Sequence, residues 1–239
     1  MKLSLCLCTL LAAAPVLTAQ AAESGQPSRI HVALAKAFVP AGFDDNDLTQ
    51  MVVAGEFADT CHKVGPTEVK VDAVTGTVQV SQTAYKYSDD CQRAVVPFSQ
   101  VVNVGLMKAG KYEVDDTTTS SVLGKLTVEP ATKAAADDYL YAPVVDADLL
   151  RGQVEVRGVF TDRCTKMTNI LVHTSNDAIV VQPVVTRYGN AAQCDTAHVP
   201  FRMRAKIPTA LKRGEYLLHV RSMSGNSVNK LVEVSSTRP

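Results

Sequence analysis

The chain lacks an excess of either charge: its 24 basic residues cancel its 24 acidic ones. That removes the whole-protein field that gathers nucleic acid or an anionic membrane. Beyond Leu17 no stretch reaches the ~18 uninterrupted apolar residues that a spanning helix needs. G-x-S-x-G, H-E-x-x-H, Walker A and G-x-G-x-x-G are all missing, so spacing identifies no paired nucleophile and base and no phosphate cradle. His31, His62, His173, His198 and His219 are scattered without metal spacing, and C-x-x-C is absent. The carboxylate pairs Asp44-Asp45, Asp89-Asp90, Asp115-Asp116 and Asp137-Asp138 fall in expected loops. Asp44, Asp45 and Asp47 lack the D-x-D-x-D-G order of a calcium loop. The sequence therefore predicts no catalytic residue, no metal site and no cofactor.

What remains is globular, with 46% hydrophobic and 20% charged residues. The length of 239 residues suits two small domains better than one. Residues 1–21 read as a cleavable signal peptide: Met1 and Lys2 give a positive start, Leu3 to Leu17 is almost wholly apolar, and Ala19-Gln20-Ala21 supplies an A-x-A site with the cut before Ala22. Cys6 and Cys8 lie inside the apolar run, whereas a lipid-bearing cysteine would end it. The mature chain is thus expected in the periplasm or secreted, where thiols oxidise.

That mature chain is written twice. GEFADTC around Cys61 recurs as GVFTDRC around Cys164, so Gly55, Phe57, Asp59 and Cys61 answer to Gly158, Phe160, Asp162 and Cys164 at an offset of 103. The same offset carries Pro40 to Pro143, Tyr85 to Tyr188, Cys91 to Cys194 and Val96-Pro97-Phe98 to Val199-Pro200-Phe201. It then drifts by one or two, pairing Gly110-Lys111-Tyr112 with Gly214-Glu215-Tyr216 and Lys125-Leu126 with Lys230-Leu231. A period near 100 residues exceeds that of solenoids and propellers, so each copy is expected to be a domain. The domains read as 22–130 and 140–239, joined by a linker over 131–139.

Each copy reads as strands. Glu68 to Asp72 and Thr77 to Ser81 alternate polar and apolar residues, the period of a pleated strand with one wet face. About seven strands are expected per copy, in the first at roughly 30–35, 49–57, 66–73, 77–86, 94–104, 111–116 and 121–129. Val74-Thr75-Gly76 and Ser175-Asn176-Asp177 supply turns between strands. The four mature cysteines allow three pairings, two of which tie the copies together. A unit that once folded alone must have closed its own bridge, which predicts Cys61 with Cys91 and Cys164 with Cys194. Each bridge closes 30 positions, worth about 3 to 4 kcal/mol if chain entropy dominates.

This order, G-x-F-x-x-x-C, an alternating strand pair, a second Cys, V-P-F and then G-x-Y, resembles the immunoglobulin-like β-sandwich repeats of bacterial exported proteins and lipoproteins. The resemblance implies an all-β chain of two tandem antiparallel sandwiches and carries no catalytic residue. The chain has no Trp to pack on a central disulfide, so its bridges are expected to pin loops. Residues alike in both copies serve the shared fold: Phe57, Phe160, Phe98, Phe201, Tyr112 and Tyr216 as core or corner, Asp59 and Asp162 as caps of turn amides.

Residues that differ between the copies are the candidates for function. Phe201, Met203 and Ala205 alternate with Arg202, Arg204 and Lys206, which puts three cations on one face of a strand. Residues 22–133 hold 10 basic and 14 acidic residues, and 134–239 hold 13 and 10. Arg202, Arg204 and Lys206, with Lys212 and Arg213, form a candidate face for an anionic partner such as an acidic protein or envelope polymer. A solvated sheet face explains the same residues. The functional expectation is an exported, non-catalytic binding or envelope-structural protein. A secreted protease inhibitor and a periplasmic assembly chaperone that donates a strand are the alternatives.

Overall fold

Period-two alternation builds nearly the whole molecule from strands. The computed structural model describes residues 26–87, 90–132, 141–175, 177–189, 194–208 and 211–235. The predicted signal peptide with Cys6, Cys8 and its cleavage site, Asp89, Asp137, Asp138, Asn176 and the linker beyond Thr132 lie outside the described residues.

The N-terminal half contains Ser28–His31 (β1), Lys36–Phe38 (β2), Phe43–Asp44 (β3), Thr49–Asp59 (β4), His62–Asp72 (β5), Thr77–Lys86 (β6), Arg93–Gly105 (β7), Gly110–Asp116 (β8) and Ser121–Glu129 (β9). The C-terminal half contains Val144–Leu150 (β10), Gln153–Asp162 (β11), Thr165–Ser175 (β12), Ala178–Arg187 (β13), Thr196–Lys206 (β14), Gly214–Arg221 (β15) and Ser227–Val234 (β16), and among the described residues a 3₁₀ turn at Met223–Gly225. The first half folds as a three-stranded sheet β2-β4-β7 against a larger sheet in which β5, β6, β8, β9 and β3 adjoin in that order and β1 shares an edge of β6. The second repeats the plan as β10-β11-β14 against β12-β13-β15-β16.

Three expectations are corrected. The sheets are not purely antiparallel, because β6 pairs parallel with β8 and β13 with β15. The strand expected at 30–35 is replaced by two short ones that flank residues 32–35, β1 on the edge of β6 and β2 on β4, and the first half also gains β3. Asp115 and Asp116 end β8 instead of lying in a loop, and Asp116 is buried, accepting bonds from Leu34 N, Thr118 N and the Thr119 hydroxyl.

The repeat register also shifts. Tyr87 N and Tyr188 N donate to Cys61 O and Cys164 O respectively, so Tyr87, not Tyr85, is the counterpart of Tyr188. Tyr112 faces Leu126 and Tyr216 faces Val232, so Leu126 answers to Val232 and Lys125 to Leu231.

Each half has its own core, one around Met51, Val53, Phe57, Val78, Val80 and Val114, the other around Val154, Val156, Phe160, Ile179, Val181 and Leu218. The repeated glycine is explained by an aromatic neighbour on the adjoining strand. A Cβ on Gly55 would come within 2.6 Å of the Phe98 ring, and one on Gly158 within 2.4 Å of the Phe201 ring and 2.1 Å of Pro143 O. Tyr112 is buried and its hydroxyl donates to Lys108 O at 2.8 Å, fixing the corner before β8. At the β5–β6 turn Asp72 Oδ1 accepts from Val74 N and Thr75 N, while Gly76 takes φ +68°, where a side chain is costly.

The two halves are stacked. Phe38 and Val52 on the outer face of β2-β4-β7 pack with Ala178, Val180 and Leu217 on the outer face of β12-β13-β15-β16, all buried. Burial of each large side chain contributes about 1.5–3 kcal/mol. Beside this cluster, Arg221 Nη1 donates to Asp47 Oδ2 at 2.8 Å, with side-chain exposures of 6% and 5%. Arg221 also bonds Gly42 O and stands 4.9 Å from the Phe43 ring centroid. Gln50 accepts from Ser227 and Asn229, and Lys36 pairs with Asp177 at 2.6 Å.

The duplicated positions explain why only these faces meet. Thr77, Gln79, Glu113 and Lys125 of the first half correspond through strand pairing to Ala178, Val180, Leu217 and Leu231 of the second. The first set is polar and solvated; the second is apolar and covered.

Candidate functional site

On the outer face of β10-β11-β14 lie Asp146 and Asp148 (β10), Glu155 and Arg157 (β11), and Arg202 and Arg204 (β14). Pairing puts Glu155 opposite Arg204 and Arg157 opposite Arg202. The side chain of Glu155 is fully buried, with Arg202 Nη2 2.6 Å and Arg157 Nη1 2.8 Å from Oε1 and Arg204 Nε 2.6 Å from Oε2. Arg157 also donates to Asp148 Oδ2 at 2.6 Å and to Asp146, and Lys230 of β16 reaches Asp148. The Arg202 bond, against the opposing effect of burial and with help from Arg204, lowers the Glu155 carboxyl to about 2. Lys230 and then Arg157 lower Asp148, and Asp146 and then Asp148 raise Arg157.

The three cations on β14 therefore do face outward, but Arg202 and Arg204 meet their anion inside the molecule. Lys206 ends that strand, whereas Lys212 and Arg213 sit exposed in the loop before β15 and not on the sheet face. Sequence reasoning missed Glu155, Arg157, Asp146 and Asp148. The signal was the strand Val154-Glu155-Val156-Arg157, whose first-half counterpart Met51-Val52-Val53-Ala54 is uncharged.

The second candidate lies at the disulfide end. Cys61 is bridged to Cys91 with Cα atoms 5.3 Å apart, and Cys164 to Cys194 with 5.6 Å. Each bridge joins the tight turn at which the chain crosses from one sheet to the other, β4 to β5 or β11 to β12, to the segment preceding the next long strand. Asp59 Oδ1 accepts from Cys61 N and Asp162 Oδ1 from Cys164 N, both at 2.9 Å, as the sequence predicted. The Cys61 amide lowers the Asp59 carboxyl; at Asp162 burial pushes upward but the Thr165 hydroxyl and amide win. Asp59, Cys61 and Cys91 cluster like metal ligands, but both sulfurs belong to the bridge and are not free thiolates.

Residues 51–118 match the family model of the ORF11 beta-sandwich domain. This ORF11-like segment runs from β4 past β8, and so includes the Phe57–Phe98 pair, the first disulfide and the Tyr112 corner. No curated protein and no solved structure matches the chain.

Within that shared frame one difference changes the surface. In the first half, the His62 ring stacks on Phe57 with centroids 5.3 Å apart and planes 19° apart, and Nδ1 donates to Asp59 Oδ1 at 2.7 Å. The corresponding residue in the second half is Thr165, whose amide donates to Asp162 Oδ1 at 2.7 Å. There a cavity of about 380 Å³ lies between β12 and β14, floored by Phe160, Met167, Val199, Phe201 and Met203. Arg163 and Lys166 stand at its rim.

Proposed function

We propose that the protein is an exported, non-catalytic binding module of the periplasm or extracellular space, made of two copies of one β-sandwich unit, at residues 22–130 and 140–239 after removal of a signal peptide. It engages an acidic protein surface or anionic envelope polymer through the outer face of its C-terminal half. The observation that carries this reading is the clamp at Glu155. It immobilises Arg202 and Arg204 from below while leaving their side chains 61% and 56% exposed. Held forks lose less entropy when they bind a carboxylate than free ones do. Lys206 adds a third cation at the end of the same strand. Two disulfides suggest an oxidising environment, and among the described residues no helix is long and apolar enough to cross a membrane.

The test is salt elution of the mature protein from immobilised polyglutamate, with N-terminal sequencing of the exported form. Elution of Arg202→Gln/Arg204→Gln at clearly lower salt than the parent, and an N-terminus at Ala22, are expected. Equal elution of the two proteins refutes the partner face.

A further inference from the structure

The two halves are an internal control for each other. Both keep the phenylalanine pair, at 4.5 Å between Phe57 and Phe98 and 4.6 Å between Phe160 and Phe201, and the capping aspartate beside it. Among the described residues, only the first half supplies its own planar ring over that floor. In the second half the same place is open, and it is walled by apolar and thioether groups because Met203 stands where the first half has the polar Gln100. At about 380 Å³ it falls within the range of small-molecule pockets, ~300–1,000 Å³. Methionine walls adapt to a ring.

The rim favours an anion. Arg163 replaces Thr60 of the first half, and Lys166 leans over the Tyr188 ring at 5.9 Å. The nearby carboxylate of Asp162 is already committed to the amides of Cys164 and Thr165 and stands 3.7 Å from Arg187.

We propose that the slot bounded by Phe160, Met167, Phe201 and Met203 is a binding site for a small aromatic anion, whose ring takes the place that His62 holds in the first half and whose charge meets Arg163 and Lys166. The inference is independent of the partner face proposed above, which lies on the opposite surface of β14, so failure of either leaves the other standing.

The probe is 1-anilinonaphthalene-8-sulfonate, titrated by fluorescence into the native full-length mature protein, with neutral N-phenyl-1-naphthylamine as the uncharged comparison. One saturable site is expected. Thr165→His, which rebuilds the first-half arrangement, weakens the sulfonate at least tenfold, and Met203→Gln, copying Gln100, weakens it several-fold. Arg163→Gln/Lys166→Gln weakens the sulfonate about fivefold, equivalent to about 1 kcal/mol, and leaves the neutral probe unchanged. His62→Thr creates a second site. Circular dichroism and the urea midpoint confirm that each variant is folded. Absence of saturable binding, binding indifferent to both Thr165→His and Met203→Gln, or equal response of both probes to loss of the cations overturns the proposal.

Discussion

Replacing Arg221 by alanine tests whether the two halves stand as one body. The guanidinium lies 2.8 Å from Asp47 with both side chains almost wholly covered. At an effective dielectric constant of 20 that contact is worth about 6 kcal/mol of Coulomb attraction, much of it offset by the removal of two charges from water. Truncating one partner is different, because Asp47 then stays buried with its charge uncompensated, at a cost of about 3–5 kcal/mol. Gly42 O and the Phe43 ring lose a partner as well. In urea unfolding followed by circular dichroism, Arg221→Ala is expected to lower stability by about 3–5 kcal/mol and to split one transition into two as the halves part. The pair Arg221→Met with Asp47→Leu is expected to cost less than the sum of its single changes, since it removes both charges together. A loss below about 1 kcal/mol for Arg221→Ala, or strict additivity of the pair, refutes the reasoning.

Four further outcomes follow from other sites. His219 is buried, and desolvation chiefly, with Arg221 and His173 adding repulsion against the Asn229 bond, lowers it to about 4. The unfolded chain therefore binds the proton first, so stability is complete above about pH 6.5 and drains as pH falls toward 4. His219→Asn flattens that part of a pH-against-melting-temperature curve; an unchanged slope sinks the assignment. Glu155 extends the acid loss toward about pH 2, because its lowered carboxyl contributes stability only while ionised. Cys61→Ser/Cys91→Ser is expected to cost about 3 to 4 kcal/mol of unfolding free energy, read by urea midpoint, and Gly158→Ala is expected to lower the melting temperature because its Cβ would strike Pro143 O and Phe201.

The sequence made local order legible. Alternation located most strands, the duplicated cysteines identified their partners, and the repeated Phe and Asp residues announced core and caps. Pairing between strands was not legible, because period two reports which residues share a face but not which sheet that face meets. Val52 and Val180 close the contact between halves, and nothing in the alternation of their strands marks that contact. Tyr85 matched Tyr188 by counting, because two residues' difference in spacing before Cys194 hid the true match at Tyr87. The cations on β14 were visible, while the carboxylate that neutralises Arg202 and Arg204, Glu155, lay on the neighbouring strand and dozens of residues earlier. At the disulfide end both copies advertised the same motif, and the exchange of His62 for Thr165 carried no signal until the rings beneath it were in place.

The contact between the halves joins unlike surfaces, a three-stranded face to a four-stranded one. Such head-to-tail geometry has no symmetry to close it, so apolar faces at both ends would let successive molecules add without limit and grow a fibre. Here Glu113 and Lys125 occupy one terminus of the pile, and Glu155, Arg157, Arg202 and Arg204 the other. Charge at both ends of the stack disfavours apolar addition of a further molecule there, as polar outer faces do in the capping units of repeat proteins.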